Sequence, residues 1–156
     1  MTTRHDLLLG GRLRRLLVCF GGLPESMKAI ELLLDLGKAL GAQLTIFSVL
    51  AGAAHLESTE VQHAAEHTAR EHLGAQLTGI LRCAADSGVQ FREVNVIGGD
   101  PGEEITRYAT EHGFDLVVIG SHGQYRVAHG GLGRVVERLL RRSKCPVLVA
   151  PARADR

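Results

Sequence analysis

Tryptophan is absent from this chain, and only two tyrosines and four phenylalanines are present. So few rings leave little with which to stack exposed bases. Charge of one sign is missing too: 18 basic side chains stand against 17 acidic ones, a formal balance of +1 over 156 residues. No overall field would hold DNA, RNA or an acidic membrane, so neither nucleic acid nor membrane is an expected partner. Cysteine is sparse, with Cys19, Cys83 and Cys145 far apart, odd in number and in no Cys-x-x-Cys pair. Free thiols in or beside apolar strands behave as small buried hydrophobes and fit a reducing cytoplasm. No window reaches the roughly 18 uninterrupted apolar residues of a membrane helix. Leu7-Leu8-Leu9 is too brief for the core of a signal peptide, so residues 1–12 read as a loose leader before a single domain over 13–156.

Catalytic motifs are also lacking. The chain holds no Gly-x-Ser-x-Gly elbow, no Gly-x4-Gly-Lys-Ser/Thr loop and no nucleophile with an evident base. His63 and His67 stand at i, i+4 on a helical pattern without a third ligand, which predicts exposed side chains and no metal. The reading is therefore no catalytic residue, and at most a weak ATPase that positions phosphate and water.

What is present is a regular alternation of short apolar runs with helical periodicity. Leu16 to Phe20 reads as a buried strand ended by Gly21-Gly22. Pro24 then suits a first helical turn, with Met27, Ile30, Leu34 and Leu40 on one face and Gly41 as the stop. Leu44 to Leu50 is a second strand. Thr59-x-x-Gln62 has the form of a capping box before a long helix whose stripe is Val61, Ala65, Ala69, Leu73, Leu77, Ile80, Leu81 and Ala84. Val89 to Ile97 reads as a third strand, and Asp100-Pro101-Gly102-Glu103 opens a helix with an acidic cap. Leu116 to Ile119 is a fourth strand. Leu132, Val135, Val136, Leu139 and Leu140 mark a helical face, with Arg134, Arg138, Arg141 and Arg142 on other faces, solvated except for Arg134 at the helix start. Val147 to Ala150, between two prolines, is the fifth. Five strands alternating with four helices predict an α/β fold: a parallel sheet covered on both faces by right-handed crossovers.

Chemistry in such a sheet gathers beyond the carboxyl ends of the strands. Gly21-Gly22 and Gly120-Ser121-His122-Gly123 both fall there. The second cluster begins a glycine-rich loop that reaches Gly133 after nine further residues and then enters a helix. Glycine lets backbone N–H groups turn toward an anion, and a helix start adds unpaired N–H groups and a positive dipole end. His122 is able to donate to such an anion or to bond within the turn.

Gly-Ser-His-Gly, nine residues, Gly133, and then Ser143-Lys144-Cys145-Pro146-Val147-Leu148-Val149 resemble the C-terminal signature of universal stress proteins. The likeness extends to Arg15 through Phe20 and to Val96 through Ile105. It implies an open five-stranded parallel sheet of order 3-2-1-4-5, adenine nucleotide alpha hydrolase-like and Rossmann-like. It also implies a cytoplasmic homodimer, paired through Val147 to Ala150, that acts in the stress response. Some members bind ATP or another adenine nucleotide, with or without magnesium; others do not. Carried over by motif, Gly120, Gly123 and Gly133 match the nucleotide-binding glycines, Ser121 and His122 lie among them, and Arg134 and Val135 follow. Val49 matches the position whose backbone meets adenine, and Phe20, Gly21 and Gly22 would surround base and ribose. Two positions differ from the family pattern: Gly21 stands where Asp is frequent, and Arg134 where Ser, Thr or Asn is.

Two alternatives remain at this level. One is a nucleotide-free dimerisation and protein-interaction module in which Arg134 fills the phosphate site. The other is an ATP-using enzyme resembling the ATP pyrophosphatases. Their Ser-Gly-Gly-x-Asp-Ser turn is matched here only in its glycines, within Phe20-Gly21-Gly22-Leu23-Pro24-Glu25.

Overall fold

The computed structural model describes residues 13–21, 24–50, 59–121 and 132–151. Along the chain these form β1 (Arg15–Cys19), α1 (Pro24–Leu40), β2 (Gln43–Leu50), α2 (Thr59–Asp86), β3 (Phe91–Ile97), α3 (Pro101–Glu111), β4 (Leu116–Gly120), α4 (Arg134–Arg142) and β5 (Val147–Ala150). All four strand pairings are parallel, in the order β3-β2-β1-β4-β5.

β1 lies at the centre of this sheet. Its Leu16, Leu17 and Val18 are fully buried, as a continuous apolar run requires when helices cover both faces. Alternation along the strand splits the core in two. Leu16 and Val18 join Ile30 and Leu33 of α1, Ile46 of β2 and Leu77 and Ile80 of α2. Leu17 and Cys19 join Phe47, Ile105 of α3, Val117 and Ile119 of β4, and Val136 and Leu139 of α4. The chain thus winds outward from β1 through β2 to β3, then returns to place β4 on the other side. The direction reverses between β1 and β4, where Val18 pairs with Val118. Such a reversal opens a crevice beyond the carboxyl ends of the two strands.

Several local expectations change against this frame. The buried face of α1 is centred on Ala29, Ile30 and Leu33, while Met27, Leu34 and Leu40 flank it half-buried. Among the described side chains of the α2 stripe, burial begins at Leu73; Val61 is 52% exposed and Ala65 is exposed. The side chains of Thr59 and Gln62, the pair read as a capping box, lie outside the described ones. Val89 is not part of β3: its N–H donates to the Ala84 carbonyl (3.0 Å), beside Gly88 at φ +73°. That bond closes the end of α2, so pairing begins only at Phe91. Leu132 falls before α4 and is exposed, as is Leu140 within it, and the core takes Val136 and Leu139.

Candidate functional site

The crevice is built from the ends of three strands and the start of one helix. β1 ends at Cys19, opposite Phe47 of β2, and the Phe20 N–H extends the ladder by one bond to the Phe47 carbonyl (2.9 Å). β2 runs on through Ser48, Val49 and Leu50, still paired with β3. Alternate residues of a strand turn their backbone groups to the same edge. Since Phe47 faces β1, Val49 also faces that side, past the last residue of β1. Phe20 is buried as its chain leaves the sheet, and Gly21 is exposed.

β4 supplies the opposite wall. Gly120, read from sequence as the first loop residue, is instead the last residue of the strand, paired with Ala150. Ser121 follows it, buried, with its N–H donating to the Ala150 carbonyl (2.8 Å). The Ser121 carbonyl in turn accepts the Gly133 N–H (3.1 Å). The two stems of the glycine loop are therefore joined to each other and to the sheet. This bond commits the Gly133 N–H to the loop base. The anion donors of the helix start become the N–H groups of Arg134, Val135 and Val136, because α4 opens with the Glu137 N–H on the Gly133 carbonyl (3.0 Å) and Gly133 offers no side-chain cap. Arg134 is exposed at the first helical position, while Val135 packs half-buried against the core. Gly22, His122 and Gly123 lie outside the described residues.

Among the described residues, those with catalytic chemistry do not converge here. Burial, with a smaller contribution from Cys145, pushes the Cys19 thiol well above its ordinary range. Cys145, half-buried, is also raised by burial, so neither is an available thiolate. His63 and His67 are exposed, and His67 Nδ1 lies 3.6 Å from Glu71 Oε2. Among the described residues no group of three or more metal-binding side chains comes together, and no helix is long and apolar enough to cross a membrane.

Two features had no clear sequence signal. Ser48 is 1% exposed, and its Oγ has no hydrogen-bond partner among the described residues. A serine inside an apolar strand gives no sign of which face it takes or what it meets. The other is the pairing of Arg138 with Asp100 (2.6 Å) and of Arg142 with Glu103 (3.5 Å), which joins α4 to α3. Helical spacing placed those arginines on a solvated face, whereas their partners belong to a distant segment. Partial burial raises the Asp100 carboxyl, but hydrogen bonds from Arg138 and the Glu103 N–H, the Arg138 charge and a further bond from the Gly102 N–H outweigh it and bring it below the usual aspartate range.

A family model for the universal stress protein family matches residues 12–151. The chain belongs to that family. Among relatives it is 32% identical over 106 residues to universal stress protein MJ0577 of Methanocaldococcus jannaschii, a match covering 67% of this chain and 65% of that protein. It is 30% identical over 145 residues to universal stress protein YxiE of Bacillus subtilis, covering 86% and 97%. Solved structures share the fold of this family member. Universal stress protein UspA of Lactobacillus plantarum superposes with a TM-score of 0.81 at 20% identity, covering 88% of this chain and 97% of that one. A universal stress protein in complex with cAMP gives 0.62 at 24%, covering 90% and 98%. The Archaeoglobus fulgidus protein in complex with dAMP gives 0.58 at 13%, covering 88% and 96%.

Proposed function

We propose that this universal stress protein binds an adenine nucleotide, ATP or a relative, between the carboxyl ends of β1 and β4. The observation that carries the reading is the Ser121–Gly133 closure. It fixes the glycine loop at a topological switch point and leaves the first three N–H groups of α4 for phosphate. Val49 meets the base from the overrun edge of β2, and Phe20 to Gly22 line the ribose. Arg134 pairs with phosphate, as a guanidinium at a helix start is suited to do. Family members bound to cAMP and to dAMP support the ligand class.

Calorimetric titration of nucleotide-free protein with ATP, ADP and AMP tests this, with and without magnesium. Heat and a thermal shift that grow with phosphate number are expected; neither at millimolar ligand would overturn the reading. Arg134→Ser should weaken ATP by about tenfold or more, the loss of a charge-assisted hydrogen bond of roughly 1.5–3 kcal/mol. Binding gained by that variant but absent from the parent would instead mark Arg134 as a plug.

The protein acts as a homodimer through β5, in a reducing cytoplasm. β5 is an edge strand, and Leu148 and Leu140 are both exposed apolar side chains. An open edge carrying apolar side chains favours pairing with a second copy.

A further inference from the structure

α4 is short, and its fully buried anchors are two, Val136 and Leu139, with Val135 half-buried beside them. A helix held along so narrow a stripe is free to roll about it unless a second contact fixes its azimuth. Arg138 makes the shorter of two such contacts, the other being Arg142 to Glu103 at 3.5 Å. The Arg138 methylene stem lies on Gly102 of α3, where an added Cβ would fall 2.8 Å from Arg138 Cδ and 3.1 Å from its Cβ, so this approach requires glycine. Its guanidinium reaches Asp100 at 2.6 Å, with Glu103 at 3.6 Å. Asp100 is itself fixed as the N-cap of α3, accepting the Glu103 N–H at 3.1 Å. Arg138 lies one turn along α4 from Arg134, and Arg134 directly follows the loop-closing Gly133.

We propose that Arg138 is a positioning residue for the first turn of α4, with Asp100 as its counter-anchor. The segment between β3 and α3 thereby tunes anion affinity from outside the crevice. This rests on the nucleotide reading above. Roll of α4 swings the N–H groups of Arg134, Val135 and Val136 away from the Ser121 stem; the latch holds them in place. Both partners are partly solvated, Arg138 at 38% and Asp100 at 47% exposure. The latch is therefore modest in strength and weakened by salt.

Two variants separate its charge from its packing. Arg138→Met keeps a stem on Gly102 without the charge, and Asp100→Asn keeps a good N-cap without the charge. Amide exchange of the unliganded full chain is read at Gly133 and Glu137, whose N–H groups are bonded to the Ser121 and Gly133 carbonyls, and ATP affinity by titration. Each variant is expected to accelerate exchange there and to weaken ATP by roughly two- to fivefold, and the double variant should match the singles rather than multiply them. Unchanged exchange, multiplying losses, or faster exchange with unchanged ATP affinity would each overturn the proposal. The exchange arm needs no nucleotide. A parent that fails to bind ATP therefore sinks the nucleotide reading, while the hold of Arg138 on the first turn is still judged on its own.

Discussion

Ser48 is where a single residue is least at ease. Its hydroxyl is buried at the carboxyl end of β2 with no hydrogen-bond partner among the described residues, and an unsatisfied group of this kind costs roughly 1–3 kcal/mol. Ser48→Ala should stabilise the unliganded protein by about 1 kcal/mol, read as a higher denaturant midpoint at unchanged slope; a lower midpoint would show that the hydroxyl has a partner in solution. Legibility at this scale followed locality. Asp100 was readable as a cap because its acceptor role is settled within three residues, and the glycine of the loop base was readable from its spacing. Arg138 was not, because its partner is set by how two helices pack, which no local pattern encodes.

The longest element shows how periodicity and burial part company. α2 has 28 residues, about 42 Å at 1.5 Å per residue, whereas the eight residues of β2 span only about 26 Å. The helix outruns the sheet, so its apolar stripe continues over a stretch where the sheet no longer lies beneath it. Leu77→Ala, in the covered half, should cost about 2–5 kcal/mol. Val61→Ala, in the overhang, should change stability by less than about 0.5 kcal/mol. Chemical denaturation compares the two, and amide exchange should be slow from Leu73 to Ala84 and fast before it. Equal costs would mean that something else covers the first half. Strand ends were similarly displaced by bonds beyond the run itself: Val89 is withdrawn from β3 by the end of α2, and Gly120 is drawn into β4 by Ala150.

At the scale of the molecule, alternation of strands and helices gave the class of fold, whereas the order of the strands came from the family resemblance. Nothing within one strand states its neighbour, because a parallel crossover can return on either side. The observed order matters for function, since only the adjacency of β1 and β4 brings their carboxyl ends into one crevice. It also leaves β5 at an edge. Leu148→Arg should convert the proposed dimer to monomer in light scattering after size exclusion, through like-charge repulsion across a two-fold contact. An unchanged mass would place the interface elsewhere.

The bond between Ser121 and Gly133 has one more consequence. Because Ser121 and Gly133 are fastened to each other, whatever joins them meets the scaffold at two fixed points, and by loop-closure scaling doubling the number of residues between two such points adds only about 0.6 kcal/mol. The bond is in effect a fixed socket.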